Sequence, residues 1–131
     1  DLGISKHVEV MGWTAGEDKI NAFRNADVYC LPSYAENLPV SVLEGMAARL
    51  AVVSTPVAGT PEAVIEGKTG FLVEPGDKDA LADRLTRLLS DATLREEMGL
   101  AGRKRAETHF DNEVVCTRLI SLWKSTISTP D

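Results

Sequence analysis

Glu36 and Glu44 stand eight positions apart in the stretch Tyr34-Ala35-Glu36-Asn37-Leu38-Pro39-Val40-Ser41-Val42-Leu43-Glu44. Ionised carboxylates accept hydrogen bonds and donate none, which suits them to ligands rich in hydroxyl groups. Between the two, Pro39 fits the first position of a helix, where its missing N–H would be unpaired in any case. Glu36 then lies in the loop ahead of that helix, and Glu44 lies one to two turns inside it. The N–H groups of Val40, Ser41 and Val42, unpaired at a helix start, and the positive end of the helix dipole make the space between the carboxylates favourable to phosphate.

The elements that must hold this arrangement are legible as an alternation. Val28-Tyr29-Cys30-Leu31-Pro32-Ser33 is an apolar run that reads as a buried strand feeding the loop. Strands are predicted at 8–11, 27–31, 51–55 and 70–74, with helices at 18–25, 40–48 and 62–65 between them. That order predicts an α/β fold with a doubly wound parallel sheet. Ligands of such sheets bind beyond the carboxyl ends of the strands, where Glu36, Gly59, Thr60 and Glu62 would converge. Asp77 and Asp91 read as N-caps of two amphipathic helices, the first carrying Leu81, Leu85, Leu88 and Leu89, the second Leu94, Met98 and Ala101. Asp111 opens a last helix with two adjacent apolar stripes, Val115, Leu119 and Leu122 beside Cys116, Ile120 and Trp123. An arc that wide predicts burial against more than one neighbour, and 125–131 reads as a polar tail.

A chain of 131 residues can bury one core. The net charge of −6, with dispersed basic residues, excludes a nucleic-acid surface, and no apolar run is long enough to cross a bilayer. Cys30 and Cys116 show no metal-ligand spacing and read as small buried apolar groups in a reducing compartment. His7 and His109 have no paired carboxylate at helical spacing, and the chain carries no Ser-His-Asp order, P-loop or metal cluster.

In these residues the chain resembles the group 1 (family 4) retaining glycosyltransferases of the GT-B fold, whose signature is Glu, seven residues, Glu. Asn21 to Pro32 is similar to the family's helix, Ala-Asp-Val, apolar strand, Pro-Ser run. Ala58-Gly59-Thr60-Pro61-Glu62 is similar to its Gly-Gly-x-x-Glu turn, and Gly67-Lys68-Thr69-Gly70-Phe71-Leu72-Val73 to its glycine-rich hairpin. The resemblance implies the Rossmann-like, nucleotide-sugar-binding carboxyl-terminal half of a GT-B enzyme over 1–110, with 111–131 packing back toward an amino-terminal acceptor domain. It implies that Glu36 is the catalytic-site carboxylate, bonded to donor-sugar hydroxyls near the reacting carbon, and that Glu44 accepts from the ribose. Asn37, Leu38, Val40 and Ser41 would offer backbone N–H groups to sugar or phosphate. Thr60 reads equally as a diphosphate contact or an ordinary turn residue, Gly59 as conformational first, and Glu62 as a residue favoured by its helix dipole whatever else it does. Gly12 and Trp13 would pass near the base, with Trp13 stacking on it or lying in core or rim.

The chain departs from the family at Arg49 and Ala51, where glycine and proline are usual; that glycine permits a left-handed helix cap. The family's first strand and its phosphate-gripping Arg and Lys have no match here, so the expectation is an amino-terminally truncated and incomplete donor site. The partners implied are a nucleoside-diphosphate sugar as substrate, with no cofactor and no metal, and the acceptor domain. Peripheral membrane association through that domain, self-association of the fragment and a cytoplasmic location complete the expectation. A non-catalytic nucleotide-sugar-binding domain, or a GT-B epimerase or phosphorylase-like protein, is the alternative.

Overall fold

The computed structural model describes residues 2–127. Three parallel strands, β1 (Val28–Leu31), β2 (Ala51–Ser54) and β3 (Gly70–Leu72), form one sheet in that order. Helix α1 (Gly16–Asn25) precedes β1, α2 (Val40–Ala47) joins β1 to β2, and the single turn α3 (Thr60–Ala63) lies between β2 and β3. Then follow α4 (Lys78–Ser90), α5 (Ala92–Arg105), a π-helical turn at Ala106–Phe110 and α6 (Asn112–Ile127).

All of β2 is buried, as a parallel strand covered on both faces must be. Val52 packs with Val42 and Met46 of α2 and with Ala63 and Val64 at the end of α3. Ala51 and Val53 turn the other way, onto Phe71, Leu88 of α4 and Met98 of α5. Helices therefore cover both faces, and the doubly wound α/β architecture is present. Asp77 and Asp91 cap α4 and α5, their Oδ1 atoms each accepting from a backbone N–H at 2.9 Å, and Asp111 accepts from Glu113 N–H at the start of α6.

Two expectations fail at the edge of the sheet. Residues 8–11 do not form a strand: Val8 is extended, yet Val8, Val10 and Met11 are 55%, 90% and 53% exposed and no strand pairs with them. Apolar alternation becomes a strand only where a neighbour supplies the ladder and the cross-strand contacts. For the same reason β1 is an edge among the described residues, and Cys30 is exposed rather than buried. Cys116 is exposed as well, because α6 buries no residue. Leu89 turns away from the α4 contact face, and Ser125 and Thr126, expected in a polar tail, belong to α6, while 128–131 lie outside the described residues.

The end of α2 shows how a departure from the expected sequence is accommodated. Leu50 N–H bonds Gly45 carbonyl and Arg49 N–H bonds Met46 carbonyl, both at 3.0 Å, which is the Schellman pattern. Arg49 holds the left-handed position at φ 66°. The Cβ of a non-glycine residue is strained there by roughly 1–2 kcal/mol. Arg49→Gly is therefore expected to raise the urea midpoint, by a net gain of about 1 kcal/mol after the freer unfolded chain is counted. An unchanged or lower midpoint would mean that the Arg49 side chain stabilises the fold. Nearby, the end of α5 secures two other helix ends: Arg103 donates to Ala47 carbonyl of α2, and Arg105 to the Ala63 and Glu62 carbonyls of α3. Cations placed so satisfy carbonyls that a helix terminus leaves unpaired.

Candidate functional site

Hydroxyl side chains join the loops that leave β1 and β2. Ser54 Oγ donates to Leu31 carbonyl at 2.9 Å, Thr55 Oγ1 to Ser33 carbonyl at 2.6 Å, and Gly59 N–H to Asn37 carbonyl at 2.7 Å. The loop bearing Glu36 is thus fixed to the turn before α3 through Asn37 and Gly59. Glu36 is half-buried, and its Oε1 accepts from Ser33 Oγ at 2.7 Å. Gly59 has a role other than the one expected. Its φ is −79°, and Ala58 carries the left-handed conformation at φ 46°. Gly59 is needed for close approach, since a Cβ there would lie 3.0 Å from Asn37 carbonyl and 3.3 Å from Leu38 Cβ.

Pro39 precedes α2 in an extended conformation instead of occupying its first turn. Val42 N–H is taken by Pro39 carbonyl at 3.0 Å, which narrows the open donors at the helix start to Val40 and Ser41. Glu44 lies one turn deeper, at the meeting of two cavities of about 400 and 370 Å³, and its Oε1 pairs with Lys19 Nζ of α1 at 2.6 Å. Both partners are more than one-third exposed, so the pair contributes about 0–1 kcal/mol, and its main effect is to orient the carboxylate.

Tyr29 of β1 lies half-buried under α2, close enough to Gly45 that a Cβ there would be 2.9 Å from its ring. Its hydroxyl pKa is raised, first by burial; Ser41 offsets part of the rise, and the charges of Glu44 and Glu36 add to it. The phenol therefore stays protonated, a donor where the charges of both carboxylates are felt. Sequence reasoning missed Tyr29 and Lys19, which become neighbours of the site only by folding. Ser33 was discoverable, since Ser three positions before Glu is the spacing at which side-chain oxygens meet locally.

Thr60 is fully buried, and its hydroxyl is the one buried side-chain polar atom among the described residues with no partner. Such an orphan costs about 1–3 kcal/mol. It is sealed from solvent, so a ligand reaches it only after local movement. Glu62 is exposed in the first turn of α3. Trp13 is 96% exposed, which removes the core reading, and with Met11 and Asp18 it lines a cleft of about 520 Å³ that Glu44 does not reach. Gly12 has nothing packed against it, so the structure does not bring Gly12 and Trp13 into contact with the glutamates. Among the described residues no group of three His, Cys, Asp or Glu side chains could hold a metal ion.

Known proteins resemble this chain in sequence and fold. The family model described as glycosyl transferases group 1 matches residues 1–105. The capsular polysaccharide biosynthesis glycosyltransferase CapM of Staphylococcus aureus is 34% identical over 108 residues, which are 82% of this chain and 28% of that protein. The carboxyl-terminal domain of the group 1 glycosyl transferase LpcC from Francisella tularensis superposes with a TM-score of 0.71 at 30% identity, over 78% of this chain and 53% of that one. The Anabaena protein HepE, solved with UDP-glucose, shares the fold with a TM-score of 0.85 at 23% identity, over 95% of this chain and 34% of that one. Against the curated relatives the chain spans between 20% and 34% of their length.

Proposed function

This chain belongs to the glycosyl transferases group 1 family, and we propose that its site holds a nucleoside-diphosphate sugar for transfer to an acceptor with retention of configuration. The observation that carries the reading is the joining of the β1 and β2 loops at the start of α2, with Glu36 and Glu44 on either side of open N–H donors. In this reading Glu36 accepts from the donor sugar's hydroxyls and Glu44 from the ribose. The N–H groups of Val40 and Ser41, with Asn37 and Leu38, receive phosphate or sugar oxygens, Gly59 keeps that approach close, and the orphan hydroxyl of Thr60 reaches a phosphate oxygen after the local movement that its burial requires. Trp13, with Gly12, stacks on the base. That HepE was solved with UDP-glucose and that one relative is a GDP-mannose-dependent mannosyltransferase supports a uridine or guanosine diphosphate sugar.

Charge develops on the leaving diphosphate, and donors already aimed at it stabilise that charge without reorganisation. The diphosphate takes the acceptor's proton on the face from which it leaves. The acceptor is supplied by the remainder of a longer protein, at the cytoplasmic face of a membrane; no helix among the described residues is long and apolar enough to cross one. This chain alone binds donor and transfers nothing, because transfer needs both reactants held together.

Calorimetric titration with UDP tests the reading. Glu44→Ala is expected to weaken UDP about tenfold through loss of a hydrogen bond to a charged group. Equal affinity in the variant, or no UDP binding by the chain at any accessible concentration, would remove Glu44 from the site.

A further inference from the structure

Two buried hydroxyls stitch the segment that leaves β1 to the end of β2. Ser54 and Thr55 are each 1% exposed, and they donate to the carbonyls of Leu31 and Ser33. Gly59 N–H takes the Asn37 carbonyl, so the backbone is held on both sides of Glu36, at Ser33 and at Asn37. The Glu36 side chain is held by a single contact. Among the described residues its carboxylate has no hydrogen bond or ion pair besides the 2.7 Å bond from Ser33 Oγ to Oε1. A glutamate side chain rotates about several bonds, so a fixed backbone alone does not choose where the carboxylate rests. Ser33 makes that choice, because its own carbonyl is anchored to buried Thr55 and its hydroxyl reaches Glu36. One oxygen of the carboxylate is thereby engaged, and Oε2 is left open to accept from a ligand.

We infer that Ser33 is a positioning residue of the transfer reaction: its hydroxyl holds Oε1 so that Oε2 faces the hydroxyls of the donor sugar. The assignment rests on the transferase reading of Glu36. A carboxylate aimed beforehand needs no reorganisation as the donor bond breaks, and a displacement of about 1 Å in such a site lowers a rate by up to about 100-fold.

A double-mutant cycle in a full-length transferase carrying this chain tests this, read by initial rates at saturating labelled donor, calorimetry with UDP and thermal unfolding. Ser33→Ala is expected to lower kcat about tenfold, since the freed carboxylate still visits the aimed position, with UDP affinity within about twofold of the parent. Ser33→Thr keeps the hydroxyl and recovers most of the lost rate. In the Glu36→Gln background, Ser33→Ala lowers kcat by less than about twofold further, because a residue acting through the Glu36 carboxylate has little left to lose there. A serine that merely stiffens the loop would give equal losses in both backgrounds, together with weaker UDP binding. That result, or an undiminished kcat in Ser33→Ala while Glu36→Gln is slow, overturns the positioning role and leaves Glu36 in the site. An undiminished kcat in Glu36→Gln overturns the reading of Glu36 itself, and the role of Ser33 with it.

Discussion

Gly99→Ala is expected to unfold most of the protein at temperatures where the parent chain is stable. A Cβ at position 99 would lie 2.0 Å from the Arg49 carbonyl oxygen and 2.9 Å from its carbon, backbone against backbone, where no side-chain rotation gives relief. Helix α5 would have to lift from the end of α2, disturbing Met98 in the core and the Arg103 bond to Ala47. Forced overpacking of this kind destabilises by about 3 kcal/mol or more, a large share of a typical domain stability of about 5–15 kcal/mol. Gly102→Ala is the control on the same helix. Its Cβ would meet Met46 Cγ and Thr69 carbonyl at 3.6 Å, an ordinary contact, and alanine is favoured over glycine inside a helix by about 1 kcal/mol. Thermal unfolding of the two variants should differ widely; similar midpoints would show that α5 is not pinned at Arg49.

Glu36→Gln is expected to lower kcat about 100-fold or more in a full-length transferase carrying this chain, with UDP affinity within about twofold of the parent. The amide keeps the shape of the carboxylate and can still accept from Ser33 Oγ, so the loop stays in place. On the proposed reading, what is lost is the negative charge near a sugar carbon that becomes cation-like as the donor bond breaks, and removal of one preorganised electrostatic group typically lowers kcat by about 10²–10³. Initial rates with a labelled donor, alongside calorimetry with UDP, separate the roles of the two glutamates. A parallel fall in UDP affinity for Glu36→Gln and Glu44→Ala would show that both serve the nucleotide.

The parts of the fold that local chemistry determines were legible in the residues. The β1–loop–α2 unit and the aspartate caps at 77 and 91 each follow from residues within a few positions of one another, whereas the left-handed position of Arg49 was implied by the family resemblance, at a place where glycine is usual. The error at residues 8–11 came from a property that no local pattern contains, because a strand exists only with its neighbour. The same reason hid the exposure of Cys30. Within the site, the spacing of Glu36 and Glu44 was readable, whereas Lys19 on Glu44 and Thr55 on the Ser33 carbonyl join residues 25 and 22 positions apart. At the turn before α3, Gly59 was read as conformational first, whereas Ala58 bears the left-handed angle and Gly59 serves the close approach of Asn37.

Helix α6 buries no residue, and Leu119, Leu122 and Trp123 are each about two-thirds exposed. Its 16 residues barely exceed the roughly 12–15 at which an isolated helix is marginal in water. Local opening there demands far less free energy than global unfolding, while the amides of β2 open only with the core. Hydrogen exchange should therefore split the chain into a fast carboxyl-terminal class and a slow central one. Slowing of the fast class when another surface is added would report that the apolar arc has been covered, so the α6 amides act as a built-in gauge of docking.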